Sequence, residues 1–192
     1  MKTIKQIGFL FLATAISSFT LSCSSESSDG GGGGSAEVGT IVAKVGGANF
    51  KSMEMATSGA MSSMGGGKYS AQLTGVEISM TGGGSKSLGL MMSGIELEPK
   101  SYDIGGENNI LMVGTYVEMN GTSQQDMTSQ AWVAPSEGGA AVGKITITEI
   151  STTKIVGTFY FTAQKQDPDS EQWINDFKEV TNGAFNIELV QH

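Results

Sequence analysis

The side chains able to do chemistry are few in this chain of 192 residues. It holds one cysteine, Cys23, and one histidine, His192. A serine or cysteine nucleophile needs a base beside it. The only imidazole stands at the C-terminus, where chain ends fray, so neither a Ser-His-Asp nor a Cys-His arrangement can be assembled. A zinc site lacks its His and Cys ligands for the same reason. Paired carboxylates could still drive glycoside hydrolysis, and 19 acidic residues are present. Sugar subsites also call for stacking aromatics, however, and the chain has only Trp132, Trp173 and a few tyrosines. Asp167-Pro168-Asp169-Ser170-Glu171 alternates carboxylates as a calcium loop can, but without the glycine turn and later bidentate Glu of such loops; it reads as a solvated acidic loop. Methionine is in excess, at 11. Met53, Met55, Met61 and Met64 fall close together, and thioethers select Cu(I). The same residues serve equally as adaptable core filler, and we expect them on a strand followed by a mobile loop. No catalytic, cofactor or metal residue is therefore expected, and the chain reads as a non-enzyme.

Cys23 itself has no disulfide partner, and its context explains it better. Met1-Lys2-Thr3-Ile4-Lys5 is basic, and Ile7–Ile16 is apolar but too short to span a bilayer, which takes about 20 residues. The leader resembles a bacterial lipoprotein signal, with Cys23 at the acylated position and Thr20-Leu21-Ser22 as a loose form of the preceding box, as in Bacteroidota-type lipoproteins. The resemblance implies a lipid on Cys23. Ser24–Ser35 carries no apolar side chain and five consecutive glycines, so it is expected to be a disordered tether reaching roughly 20 Å. Ser24, Glu26 and Asp29 resemble an outer-membrane sorting signal. The expected organisation is a signal peptide over 1–22, acylated Cys23 and tether over 23–36, and one domain over 37–192, held at the outer membrane.

Charge narrows the partners. Removing Lys2 and Lys5 with the leader leaves nine lysines against 19 carboxylates, and there is no arginine. Nucleic acid requires basic patches, and bidentate phosphate recognition favours Arg; both are excluded. Attraction to an anionic membrane is excluded likewise, which leaves the lipid as the membrane contact.

Over 37–192, glycine clusters and the prolines Pro99, Pro135 and Pro168 punctuate short β-branched and aromatic stretches, the pattern of an all-β domain. Alternation marks strands at Thr40–Val45, Tyr69–Met80, Leu88–Met92, Ile110–Val117, Gln130–Ala134, Lys144–Ile150 and Ile155–Ala163. Val76, Ile78 and Met80 share one face and Glu77 takes the other. Ser151–Lys154 makes a polar turn. Phe159 and Phe161 belong to the core, while Thr158, Tyr160 and Thr162 face away. Asn182-Gly183 is a hairpin signal between Phe177–Thr181 and an inward trio of Phe185, Ile187 and Leu189. About eight to ten antiparallel strands are expected, as a β-sandwich or partly closed barrel.

The run Ile145-x-Ile147-x-Glu149 … Ile155-x-Gly157-Thr158-Phe159-x-Phe161-Thr162-Ala163 … Val180-Thr181-Asn182-Gly183-x-Phe185, with Ala43-Lys44-Val45-Gly46 and Phe50, resembles a family of uncharacterised Bacteroidota-type lipoproteins. The resemblance implies the class and adds no reaction. The function expected is a lipid-anchored envelope module that binds another macromolecule, a protein or a glycan, or has a structural role, with a calycin-like carrier of a small apolar ligand as the alternative.

Overall fold

The computed structural model describes residues 35–79, 83–106, 111–121, 128–135, 140–167, 170 and 172–191, all within the compact unit Gly33–His192. Strands make up nearly all of it: β1 (Thr40–Val45), β2 (Ala48–Lys51), β3 (Thr57–Gly65), β4 (Lys68–Ser79), β5 (Gly84–Ile95), β6 (Lys100–Ile104), β7 (Met112–Asn120), β8 (Thr128–Ala134), β9 (Gly143–Ile150), β10 (Lys154–Gln166), β11 (Trp173–Glu188) and β12 (Val190–Gln191). The all-β class is as expected, with twelve strands among the described residues rather than eight to ten. The additional elements are the short β2, β6 and β12, too brief for alternation to reveal.

One sheet contains every strand. Its order is β12-β3-β4-β5-β7-β8-β10-β11-β1-β2, with β9 on β10 and β6 on β9. All pairs are antiparallel except β12 with β3, where Val190 and Gln191 lie parallel to Ala60 and Met61. Leu189 alone separates β12 from β11, so the end of β11 curls the sheet round to β3 as a half-barrel. Strand twist favours such curling over a flat array of this width.

The core lies inside the curl, and period-two alternation selects it. Leu73, Leu88, Leu90, Met92, Ile145, Phe161, Phe185 and Ile187 are buried together. Phe159 and Phe161 face inward and Tyr160 outward, as expected. Glycines on the inner face make room for these rings. A Cβ on Gly114 would come within 2.6 Å of the Phe161 ring, and one on Gly183 within 2.5 Å of Phe159. On Gly157 it would meet the Phe185 ring at 2.6 Å. Each aromatic fills the space that a glycine on another strand leaves, so these glycines create no void.

Three local expectations are corrected. Asn182-Gly183 is not a hairpin: β11 runs straight through it as a bulge. Gly183 pairs with Phe159 and Val180 with Phe161, leaving Thr181 and Asn182 opposite the single Tyr160. Asn182 takes φ 51°, the left-handed conformation Asn tolerates better than most residues. The bulge prevails because β1 and β10 pair with β11 on both sides of it. Met53–Met64 is not a strand followed by a loop but a single 3-10 turn, Glu54–Ala56, followed by β3. Thr57 Oγ1 bonds both Ser52 Oγ (2.7 Å) and Met53 O (2.7 Å) there. Val76 and Ile78 share one face of β4 and Glu77 takes the other, as expected; theirs is the outer face, and Ile78 is 48% exposed. The inner row is Ala71, Leu73 and Gly75, since Gly75 admits Ser52 and Ile41 against the sheet. Finally, the strand expected over Leu88–Met92 extends to Gly84–Ile95. The Ser151–Lys154 turn is as read, closed by the Ser151 N–H donating to Lys154 O at 2.8 Å.

Candidate functional site

Cys23 and His192 lie outside the described residues, as do Pro168, Asp169 and Glu171 of the acidic loop. Within that loop, Asp167 Oδ1 accepts from the Ser170 N–H at 2.8 Å, so this carboxylate is engaged in turn formation. The four candidate methionines are not brought together. Met61 is buried, while Met55 and Met64 are exposed and Met53 precedes the 3-10 turn. Met61 instead shares a buried row with Ala71, Met92 and Met112 across β3, β4, β5 and β7. No cluster of three or more His, Cys, Asp or Glu side chains suited to a metal occurs among the described residues.

Two constructions remain. The first closes one end of the half-barrel, where the inward rows change from apolar to charged. Tyr116 and Trp132 are cross-strand partners on β7 and β8, with ring centroids 5.8 Å apart. Lys178 Nζ lies 4.6 Å from the Trp132 centroid and 5.8 Å from that of Tyr116. It pairs with Glu118 Oε1 at 3.1 Å, the oxygen that also accepts from the Tyr116 hydroxyl at 2.9 Å. Lys165 stands 5.4 Å from the Trp132 centroid and donates to Gln130 Oε1 at 2.9 Å. Asp176 lies 3.7 Å from Lys165, and Glu77 3.9 Å from Lys86. Burial, then the bond to Glu118, raises the Tyr116 phenol well above its ordinary value. A phenol held this way donates a hydrogen bond and does not act as a base. Trp132 Nε1 is buried and has no acceptor among the described residues. Lysines over aromatic faces and matched carboxylates make this end a lid on the core.

The second construction is on the outer face. Opposite the bulge, a groove of about 500 Å³ is lined by Lys144, Thr146, Thr158, Tyr160, Thr181 and Asn182, among others. Three elements place these groups. Lys144 and Thr146 on β9 lie opposite Tyr160 and Thr158 on β10, and the β11 bulge brings Thr181 and Asn182 to the far side. A bulge bends its strand and re-aims its side chains, which hollows an otherwise flat face. Tyr160 is 53% exposed at the groove. Lys144 is paired with Asp103 at 3.3 Å, and Thr146 Oγ1 shares a hydrogen bond with Ser101 Oγ at 3.0 Å. The groove therefore carries hydroxyls, an amide and an aromatic ring, with its one cation neutralised. Alternation revealed that Thr158, Tyr160 and Thr162 face outward; it could not reveal the hollow, because that depends on the bulge.

A half-barrel with a filled core and a hydroxyl-lined outer groove defines a class by architecture alone. Residues 66–187 match the family described as Domain of unknown function (DUF6252), and the chain belongs to that family. The matched span runs from the β3–β4 turn to the end of β11 and includes both constructions. No curated protein and no solved structure matches the chain.

Proposed function

We propose that this chain is a lipid-anchored, non-catalytic binding module of the cell envelope. It is held at the outer membrane through Cys23 and engages its partner through the outer groove around Tyr160. The observation that carries the reading is a filled interior beside an open outer groove. A carrier would keep inward small residues as space for cargo; here the rings of Phe159, Phe161 and Phe185 occupy the spaces beside Gly183, Gly114 and Gly157. The carboxylates at the charged end are spoken for by lysines or the Tyr116 hydroxyl, which favours a structural use over acid–base work. Attachment rests on the leader and on the tether that follows Cys23. No helix among the described residues is long and apolar enough to cross a membrane.

Two measurements test the reading. Cys23→Ser should move the chain from the membrane fraction to the soluble one, and mass spectrometry of the native N-terminus should find acyl chains on Cys23. A photo-cross-linking residue at position 160 should form an adduct in cells that the same residue at Ile78, on the outer face of β4, does not. An unmodified Cys23, or equal labelling from both positions, would overturn the proposal.

A further inference from the structure

We infer that the outer face of β9, β10 and β11 binds an uncharged oligosaccharide, with one pyranose ring stacked on Tyr160 and another on Phe177. The inference rests on the binding-module reading and names its ligand class. Four observations lead to it. First, Tyr160 presents an exposed ring on a sheet, a rigid support, and a pyranose offers a matching face of C–H groups. Second, the groups around the ring are hydroxyls of Thr146, Thr158 and Thr181 and the amide of Asn182. Each hydroxyl both donates and accepts, and the amide does both through its two ends, which is the bonding a polyol needs.

Third, charge selects against ionic ligands. Lys144 is neutralised by Asp103, and the whole chain carries a formal charge of −8, so a polyanion would be repelled. Fourth, the face has a second aromatic. Phe177 is 51% exposed and pairs with Gln164, four residues beyond Tyr160 on the same side of β10. At about 3.3 Å per residue the two rings stand roughly 13 Å apart along the strand. Thr162 and Glu179 lie between them. That separation suits successive contacts along one linear chain and exceeds what a single sugar spans. A protein partner fits less well: interface cores are apolar and favour Met and Arg beside their aromatics, whereas the two rings here are separated by Thr162 and Glu179 and flanked by threonines and Asn182, with neither Met nor Arg among them.

The test uses the full chain in detergent micelles on a printed array of uncharged and anionic oligosaccharides of graded length, followed by titration with the best-retained sugar. Uncharged oligosaccharides should be retained. Tyr160→Ala should weaken binding about tenfold or more with an unchanged melting temperature, and Tyr160→Phe, which keeps the ring, should stay within about threefold. Phe177→Ala should weaken long oligomers and leave disaccharides unaffected. An empty array, a preference for anionic glycans, or no response to Tyr160→Ala would overturn the inference. A blank array together with a protein adduct from position 160 would remove the sugar and leave the binding module standing. Sugar binding by a chain whose Cys23→Ser variant stays with membranes would do the reverse.

Discussion

Phe161 is the residue on which the core turns. It stacks with Phe159 at a centroid distance of 6.1 Å, is almost fully buried and lies over Gly114. Phe161→Ala should cost roughly 3–5 kcal/mol, read as a lowered denaturant midpoint at unchanged slope; an unchanged midpoint would contradict the assignment. Tyr116 gives a residue-scale prediction in alkali. Its folded pKa lies above the unfolded value near 10. Its contribution is therefore fully present below pH 10 and is lost as pH rises above that, because the unfolded chain ionises there while the folded one does not. Tyrosinate absorbance should show a late step that coincides with unfolding, and Tyr116→Phe should remove that step. The sequence revealed the inward direction of Phe159, Phe161, Phe185, Ile187 and Leu189, because alternation is local. Nothing in it placed Lys178 over Trp132: they lie on β11 and β8, each beside β10, and only sheet order brings them together.

At the scale of elements, local pattern and sheet pairing compete. Asn182-Gly183 carries the strongest hairpin signal in the chain, yet β1 and β10 hold β11 on both sides of it and turn it into a bulge. The Ser151–Lys154 turn followed its local signal because β9 and β10 pair with each other directly. Similar logic decides which face of β4 turns inward: Ser52 and Ile41 claim the space over Gly75, so Val76 and Ile78 take the outer face. The link from β5 to β6 offers an acid test. Lys68 and then Lys100 hold the Glu96 carboxylate at about 2, against an ordinary 4.5. The stabilisation from that depressed pKa is present above pH 4.5 and is lost as pH falls toward 2. Glu96→Gln should flatten the fall in melting temperature across that window, and an identical fall in both proteins would exclude the role. The β12–β3 pair is the weakest joint, with two residues in parallel register. Hydrogen exchange should open the amides at this seam well before those of β10, which is paired along its length to β9 and β8 on one side and β11 on the other. Equal protection would mean that the seam is no separate unit.

For the whole molecule, the sequence exposed class and charge far better than shape. Absent arginine, a lone cysteine and period-two alternation are compositional or local, so the acidic charge balance and the all-β class could be read directly. Whether the interior is hollow could not, because Gly114 and Phe161, or Gly157 and Phe185, are far apart in the chain and meet only in the folded sheet. That arrangement also constrains how the protein can change. A methyl group added at Gly114 has nowhere to go while Phe161 keeps its ring, and a ring trimmed at 161 leaves a hole while Gly114 stays bare. Either step alone is harmful; both together restore the volume. In a double-mutant cycle Gly114→Ala and Phe161→Leu should therefore cost less than the sum of the single changes, by about 0.5–3 kcal/mol. Such pairs tie distant positions into joint inheritance, so divergence of the core has to proceed by matched exchanges across strands.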